Sequence, residues 1–125
     1  MSIFYDLEQI ENPLKNPVLT IGNFDGVHIG HLVLFKKVME RAGFLGGQSV
    51  VMTFEPHPIK VMMPRNGPPL ITPTEQKLKL IEMTGIDVIL CVSFTRDFAN
   101  ISAIDFVRNI LVNKIGVREI VVGHD

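Results

Sequence analysis

The apolar residues of this chain fall into two kinds of run. Four short ones, Val18 to Ile21, Ser49 to Phe54, Asp87 to Ser93 and Glu119 to Val122, are rich in Val and Ile and lack clean alternation with polar residues. Strands buried on both faces read this way, which predicts a parallel sheet covered by helices. Between them the apolar spacing turns helical. Leu32, Phe35, Val38, Met39 and Ala42 predict a helix over about Ile29 to Ala42, with Gly43 as its C-cap and Gly46-Gly47 in the loop beyond. A second helix begins at Thr72-Pro73-Thr74-Glu75, where Thr72 can cap, Pro73 suits the first helical position and Glu75 can complete a capping box; it ends near Gly85. A third runs from Ser102 to Gly116 with Phe106, Val107, Ile110 and Leu111 on its apolar face. The stretch from Glu55 to Ile71 holds five prolines and little periodicity, and reads as a long loop or flap of the kind often recruited to function.

Strands alternating with helices predict an open α/β sheet. Ligands of such sheets bind beyond the C-terminal strand ends, where the strand order reverses. Each polar cluster of interest follows a strand: Gly22 to His31 the first, Glu55-Pro56-His57-Pro58 the second, Phe94-Thr95-Arg96-Asp97 the third and Gly123-His124-Asp125 the fourth. They are expected along one edge of the sheet, with the first and fourth of these strands as neighbours.

Composition narrows the class. A chain of 125 residues is one domain at most, 46% hydrophobic and 20% charged, as globular chains are. The formal net charge of −1 and scattered Lys and Arg supply no basic stripe, so nucleic acid is not expected as a partner. The lone Cys91 excludes an internal disulfide and is expected in a buried strand. The N-terminal residues lack the pattern of a signal peptide, and no apolar run approaches the roughly 18–20 residues of a membrane span. A cytoplasmic, reducing location is expected.

The densest chemistry lies in TIGNFDGVHIGH, residues 20–31. A Gly-rich turn between strand and helix aims backbone N–H groups and a helix dipole at one point, which suits a phosphate. His28 and His31 stand three apart at the helix start, where they can donate hydrogen bonds to phosphate oxygens and offset charge building up in phosphoryl transfer. Gly30 between them lets a ribose or base approach the backbone. Asp25 is equally a turn residue, since Asp-Gly favours turns. His57, between two prolines, is either rigidly presented or part of a structural turn. Arg96 and Asp97 are either site residues or a local surface ion pair. Val61-Met62-Met63 reads as packing beneath the flap. No His, Cys and acid cluster has metal-ligand spacing, so any Mg²⁺ is expected to be held by nucleotide phosphates and water.

GNFDGVHIGH followed by TFEPHP, then LITPTEQKLKLI, GIDVILCVSFTRDFANISAIDFVRNILV and GVREIVVGHD, resembles the FMN adenylyltransferase domain of bacterial bifunctional riboflavin kinase/FAD synthetases. The likeness spans about Asn16 to Asp125. It implies a Rossmann-like open parallel sheet of the HxGH nucleotidyltransferase type and transfer of AMP from ATP to FMN, giving FAD and pyrophosphate. By that resemblance Gly22, Asn23, Phe24, Asp25, His28, Gly30 and His31 bind ATP, with His28 and His31 catalytic. Phe54, Glu55, Pro56, His57, Pro58 and Asp125 bind FMN. The family continues with a further strand, an ISSTxxR-type nucleotide motif and a riboflavin kinase domain, none of which occurs in residues 1–125. The fold is therefore expected to be incomplete at its C-terminus. Weak nucleotide binding, negligible adenylyl transfer by these 125 residues and self-association through the exposed edge of Glu119 to Val122 are expected too. The competing readings are a non-catalytic nucleotide-binding module and another HxGH nucleotidyltransferase, such as a cytidylyltransferase; TFEPHP speaks against the latter.

Overall fold

Val-rich segments that cannot expose either face assemble here into one five-stranded, wholly parallel sheet. The computed structural model describes residues 2–55 and 74–123. The strands are β1 (Ser2–Phe4), β2 (Val18–Ile21), β3 (Ser49–Glu55), β4 (Val88–Ser93) and β5 (Glu119–Ile120), in the spatial order β1-β4-β3-β2-β5. The helices are α1 (Ile29–Leu45), α2 (Thr74–Met83), the single turn α3 (Arg96–Ala99) and α4 (Ala103–Asp105), which runs on as a π-helix over Phe106–Ile115.

Successive strand residues go to opposite faces of the sheet, and both faces are apolar. Val18, Val51, Ile89 and Cys91 pack with Phe35, Val38 and Ala42 of α1 and Leu78 and Ile81 of α2. Leu19, Val50, Met52, Leu90 and Val92 pack on the other side with Leu111 and Ile115 of the π-helix. That two-sided burial is why no strand alternates, and Cys91 is buried as expected.

The chain climbs from β2 through β3 to β4 on one side of β2, then returns to place β5 on the other side. Strand order reverses at β2, so the loop after β2 and the residues after β5 share the crevice at the switch point. The expected pairing of the first and fourth sequence-read strands is thus present, with Val18 opposite Glu119 and Leu19 opposite Ile120. Regular pairing of that last strand ends at Ile120, although Val121 N–H still reaches Leu19 O at 2.8 Å.

Several expectations require correction. The sheet has an additional edge strand, β1, paired with β4; its three residues are too few to show a period. The first helix runs to Leu45, and its cap is Gly46, in left-handed backbone (φ 63°), not Gly43. Leu32 is 43% exposed and does not join the core face of α1. The third helix begins at the Ser102 cap and stops at Gly116 (φ 75°) as expected, but it is α-helical for three residues and π-helical for the rest, a difference that apolar spacing alone does not encode. Val107 is accordingly 49% exposed while Leu111 and Ile115 are buried. The Thr72-Pro73 start of the second helix and Val61-Met62-Met63 lie outside the described residues, and α2 is described from Thr74.

Candidate active site

The loop from Gly22 to His28 leaves β2 at the switch point and turns directly into α1. Gly22 N–H donates to Met52 O at 3.0 Å, extending the ladder by one residue. Phe24 then takes a left-handed backbone (φ 51°), a conformation that L side chains rarely adopt, and buries its ring beneath the loop. Gly26 (φ 72°) completes the turn, where a side chain would be strained. Asp25 and Gly26 therefore do form the turn that the Asp-Gly pair suggests.

The two histidines do not simply share a helix face. His28 is the N-cap of α1, with extended backbone, and its Nδ1 accepts the Gly30 N–H at 3.2 Å. His31, at the third helical position, returns the contact: its Nδ1 accepts the His28 N–H at 3.2 Å. The pair is a capping box built from imidazoles in place of the usual hydroxyl and carboxylate. The rings stack, with centroids 3.7 Å apart and planes at 27°. Phe24 meets the His31 ring edge-on at 5.1 Å and Phe35 at 5.0 Å, so the inner imidazole rests on the aromatic core.

This geometry fixes the chemistry of the pair. A nitrogen accepting a hydrogen bond carries no proton, so each ring's proton is assigned to Nε2. Both Nε2–H groups are then donors directed away from the caps. Burial, and secondarily the nearby His28, hold the His31 pKa below its ordinary value. Protonating either Nδ1 would set two donors against each other. The arrangement therefore equips the histidines as neutral hydrogen-bond donors, and a cationic role would require breaking a cap. The caps also consume N–H groups that the sequence reading left open to a phosphate. Gly30 N–H is taken by His28, and His31 N–H bonds His28 O at 2.9 Å.

On the far side of β3 the sheet edge is aromatic. Phe54 lies among Phe94 (5.7 Å), Phe98 (5.8 Å) and, beyond Phe98, Phe106 (5.9 Å from it). Thr95 caps α3 by accepting the Phe98 N–H at 3.0 Å, which folds Phe98 back against Phe94. These rings, with Ile21 and Ile101, line an open cavity of about 330 Å³. Sequence reasoning placed Phe94 on the same sheet edge and Phe106 on the apolar face of the third helix, but did not join them or Phe98 to Phe54. The SFTRDFA spacing carried the signal, since one helical turn brings its two phenylalanines together. Arg96 and Asp97 open α3 on the exposed side.

Glu55 ends β3, and the Thr74 hydroxyl at the start of α2 donates to its Oε2. The carboxylate thus sits at a helix N-terminus, where negative charge is favoured. Pro56, His57, Pro58 and Asp125, the remaining sequence-predicted site residues, lie outside the described residues. Among the described residues no three His, Cys, Asp or Glu stand together as a metal site. None of the described helices is long and apolar enough to cross a membrane.

One charged residue of this region was missed. Lys77 of α2 is only 5% exposed, and its ammonium donates to Asn23 O at 2.9 Å, Thr53 Oγ1 at 3.0 Å and Phe54 O at 3.4 Å. Desolvation lowers its pKa, opposed by Cys91 and by the carboxylates of Glu55 and Asp25. In the sequence it is one of two lysines in QKLKL, with nothing to mark it as the buried one.

A family model for FAD synthetase matches residues 10–125. Among curated proteins, the bifunctional riboflavin kinase/FMN adenylyltransferase of Buchnera aphidicola subsp. Acyrthosiphon pisum is 38% identical over all 125 residues. Those of Escherichia coli K12 and Listeria monocytogenes are 38% and 39% identical over 90% and 88% of the chain. The chain spans 40%, 36% and 35% of the lengths of these three relatives. Among solved structures, one titled a macrolide-efflux protein from Streptococcus pneumoniae superimposes with a TM-score of 0.78 over 98% of this chain and 47% of its own, at 22% identity, a likeness of fold. The parallel sheet, the loop at its switch point and the match over residues 10–125 lead to one assignment: the chain belongs to the FAD synthetase family.

Proposed function

We propose that this chain carries the ATP side, and part of the FMN side, of an FMN adenylyltransferase. The observation that supports this most is the stacked His28–His31 pair, with both Nδ1 atoms committed to caps and both Nε2–H donors left for a ligand, at the switch point of the sheet. Gly22, Asn23, Phe24 and Asp25 shape the loop beside it, and Gly30 leaves room for the His28 ring, which a Cβ there would meet at 3.1 and 3.3 Å. FMN would place its flavin ring against Phe54 in the aromatic cavity, where edge and face contacts with Phe94 and Phe98 reward a flat ring. Glu55, Pro56, His57, Pro58 and Asp125 would complete that side.

In the reaction an FMN phosphate oxygen attacks the α-phosphorus of ATP. The new P–O bond forms as the bond to the β-phosphate bridging oxygen breaks, and pyrophosphate carries away the electron pair. Little covalent work falls to the protein in such a transfer, so positioning and donors for the phosphate oxygens dominate. His28 and His31 supply those donors without needing a positive charge. Mg²⁺ would arrive with ATP, held by its phosphates and by water.

Binding tests the two halves separately. ATP should bind the wild-type chain, and His28→Ala or His31→Ala should weaken it about tenfold, the effect of losing one good donor to a charged group. Flavin fluorescence should be quenched on binding FMN and recover when Phe54→Ala is used. Equal ATP affinity in both histidine variants would remove the pair from the mechanism.

A further inference from the structure

A buried lysine is costly, and α2 does not need one for packing: Leu78 and Ile81 beside it fill the core with hydrocarbon. Lys77 nonetheless spends all three ammonium hydrogens inside the protein, on two neighbouring strand ends at once. Two of its acceptors, Thr53 Oγ1 and Phe54 O, belong to β3, and the third, Asn23 O, belongs to the loop after β2. Thr53 Oγ1 also donates to Asn23 O at 3.0 Å, so this one carbonyl receives two hydrogen bonds from below.

The residue after that carbonyl is Phe24, whose left-handed backbone (φ 51°) is strained for a residue other than glycine. Such a conformation persists only where its surroundings over-determine it. Two donors fixing the preceding peptide do so here. Phe24 in turn supports the His31 ring edge-on, and His31 stacks on and caps with His28. With its donors consumed, the ammonium has none left for a substrate.

We infer that Lys77 is a positioning residue for the His28–His31 pair, acting through the Asn23 carbonyl and the Phe24 ring. The inference rests on the nucleotide-site reading for its consequence on ATP, but its geometric part stands apart from that reading. It explains why a buried lysine sits one turn into α2, a helix whose first residue is already tied to the end of β3 through Thr74 and Glu55. The same strand end that carries Phe54 is thereby locked to the loop that carries the phosphate donors, which gives the two sides of the cleft one shared brace.

The test compares Lys77→Met, Thr53→Val and Thr53→Ser with the wild-type chain. Lys77→Met keeps an unbranched apolar stem and removes the ammonium; Thr53→Val removes the hydroxyl at nearly constant shape; Thr53→Ser keeps it. Each is followed by the imidazole C–H signals of His31 in NMR without ligand, which report its ring neighbours, and by ATP titration. Lys77→Met should move the His31 signals and weaken ATP about tenfold. Thr53→Val should change both in the same direction by less, and Thr53→Ser should leave both near wild type. A folded Lys77→Met chain with wild-type His31 signals and wild-type ATP affinity overturns the inference, even if its melting temperature falls. Should Lys77→Met not fold, unchanged signals in Thr53→Val overturn it instead. A wild-type chain that fails to bind ATP defeats the nucleotide-site reading, while the His31 signals still decide whether Lys77 sets the geometry of the pair.

Discussion

Replacing Gly22 by alanine puts a single methyl group against the aromatic support of the site. Gly22 lies outside the left-handed region that favours glycine, so the effect of alanine there is chiefly steric. Its Cβ would stand 2.8, 3.0 and 3.2 Å from three atoms of the Phe24 ring. The closest lies about 0.6 Å inside the 3.4 Å at which ordinary contact begins. A free ring would swing aside, but this one is buried between His31 and Phe35 on a backbone already in the left-handed region. Inserting a methyl into such a packed site costs about 1–3 kcal/mol. For a domain of this size that lowers the melting temperature by roughly 4 °C per kcal/mol. Phe24→Leu removes the far end of the ring that the methyl strikes, so the two changes should be non-additive, with a coupling of about 1 kcal/mol in favour of the double variant. Thermal and denaturant unfolding of the two single variants and the double variant measure this directly. The reasoning fails if Gly22→Ala melts with the wild type, or if the double variant loses the full sum of its parents.

Two further glycines make a contrasting pair. Gly43 lies in α1 with open space around its Cβ position, so Gly43→Ala should stabilise by about 0.5–1 kcal/mol through helix propensity, seen as a raised denaturant midpoint. Gly47 faces the Asn16 backbone, itself in left-handed conformation, so a methyl there meets the Asn16 carbonyl; Gly47→Ala should destabilise strongly and lower the yield of folded chain. Acid should also find the histidine cap. The pKa of His31 is depressed in the native state, so on lowering the pH the unfolded chain takes up this proton first, near the ordinary value of 6.5. Stability should therefore fall with pH through the interval down to the lower native value, and His31→Gln should flatten that part of the pH–stability curve.

The architecture was legible because burial leaves a mark on composition. Val50, Val51 and Met52 are apolar in succession since β3 has helices on both faces, and that run alone points to a parallel central strand. The neighbouring of β2 and β5 followed from where the Gly-rich loop after β2 lies, because a doubly wound sheet opens where its order reverses. What composition could not show was local pairing. Ser2–Phe4 is too short for any period to separate it from a loop, and only its fit beside β4 makes it a strand. The switch from α- to π-helix after Asp105 keeps the same start and stop signals, Ser102 and Gly116, with Leu111 and Ile115 buried while Val107 and Val112 stay exposed.

The site divides along the same line. Neighbours in sequence are enough to mark the loop glycines, the two histidines, and Phe54 and Glu55 at the strand end as candidates, and the structure brings all of them to the C-terminal edge of the sheet. The part each histidine plays was not, because a capping box and an exposed pair three residues apart are written with the same letters. The distinction matters chemically. An exposed pair would gain charge as pH fell and attract phosphate as a cation. The capping pair keeps its Nδ1 atoms as acceptors of backbone N–H groups and leaves Nε2 on each ring as the nitrogen that can face a ligand. Lys77 is the extreme case. Its three acceptors come from residues 23, 53 and 54, up to 54 positions away in the chain, and two of them are backbone carbonyls that no side-chain pattern could advertise. A residue whose partners are main-chain atoms of distant segments leaves no trace in a sequence except its own letter. The brace that orders the histidines therefore became visible only once the sheet had placed β2 beside β3 and α2 beneath them.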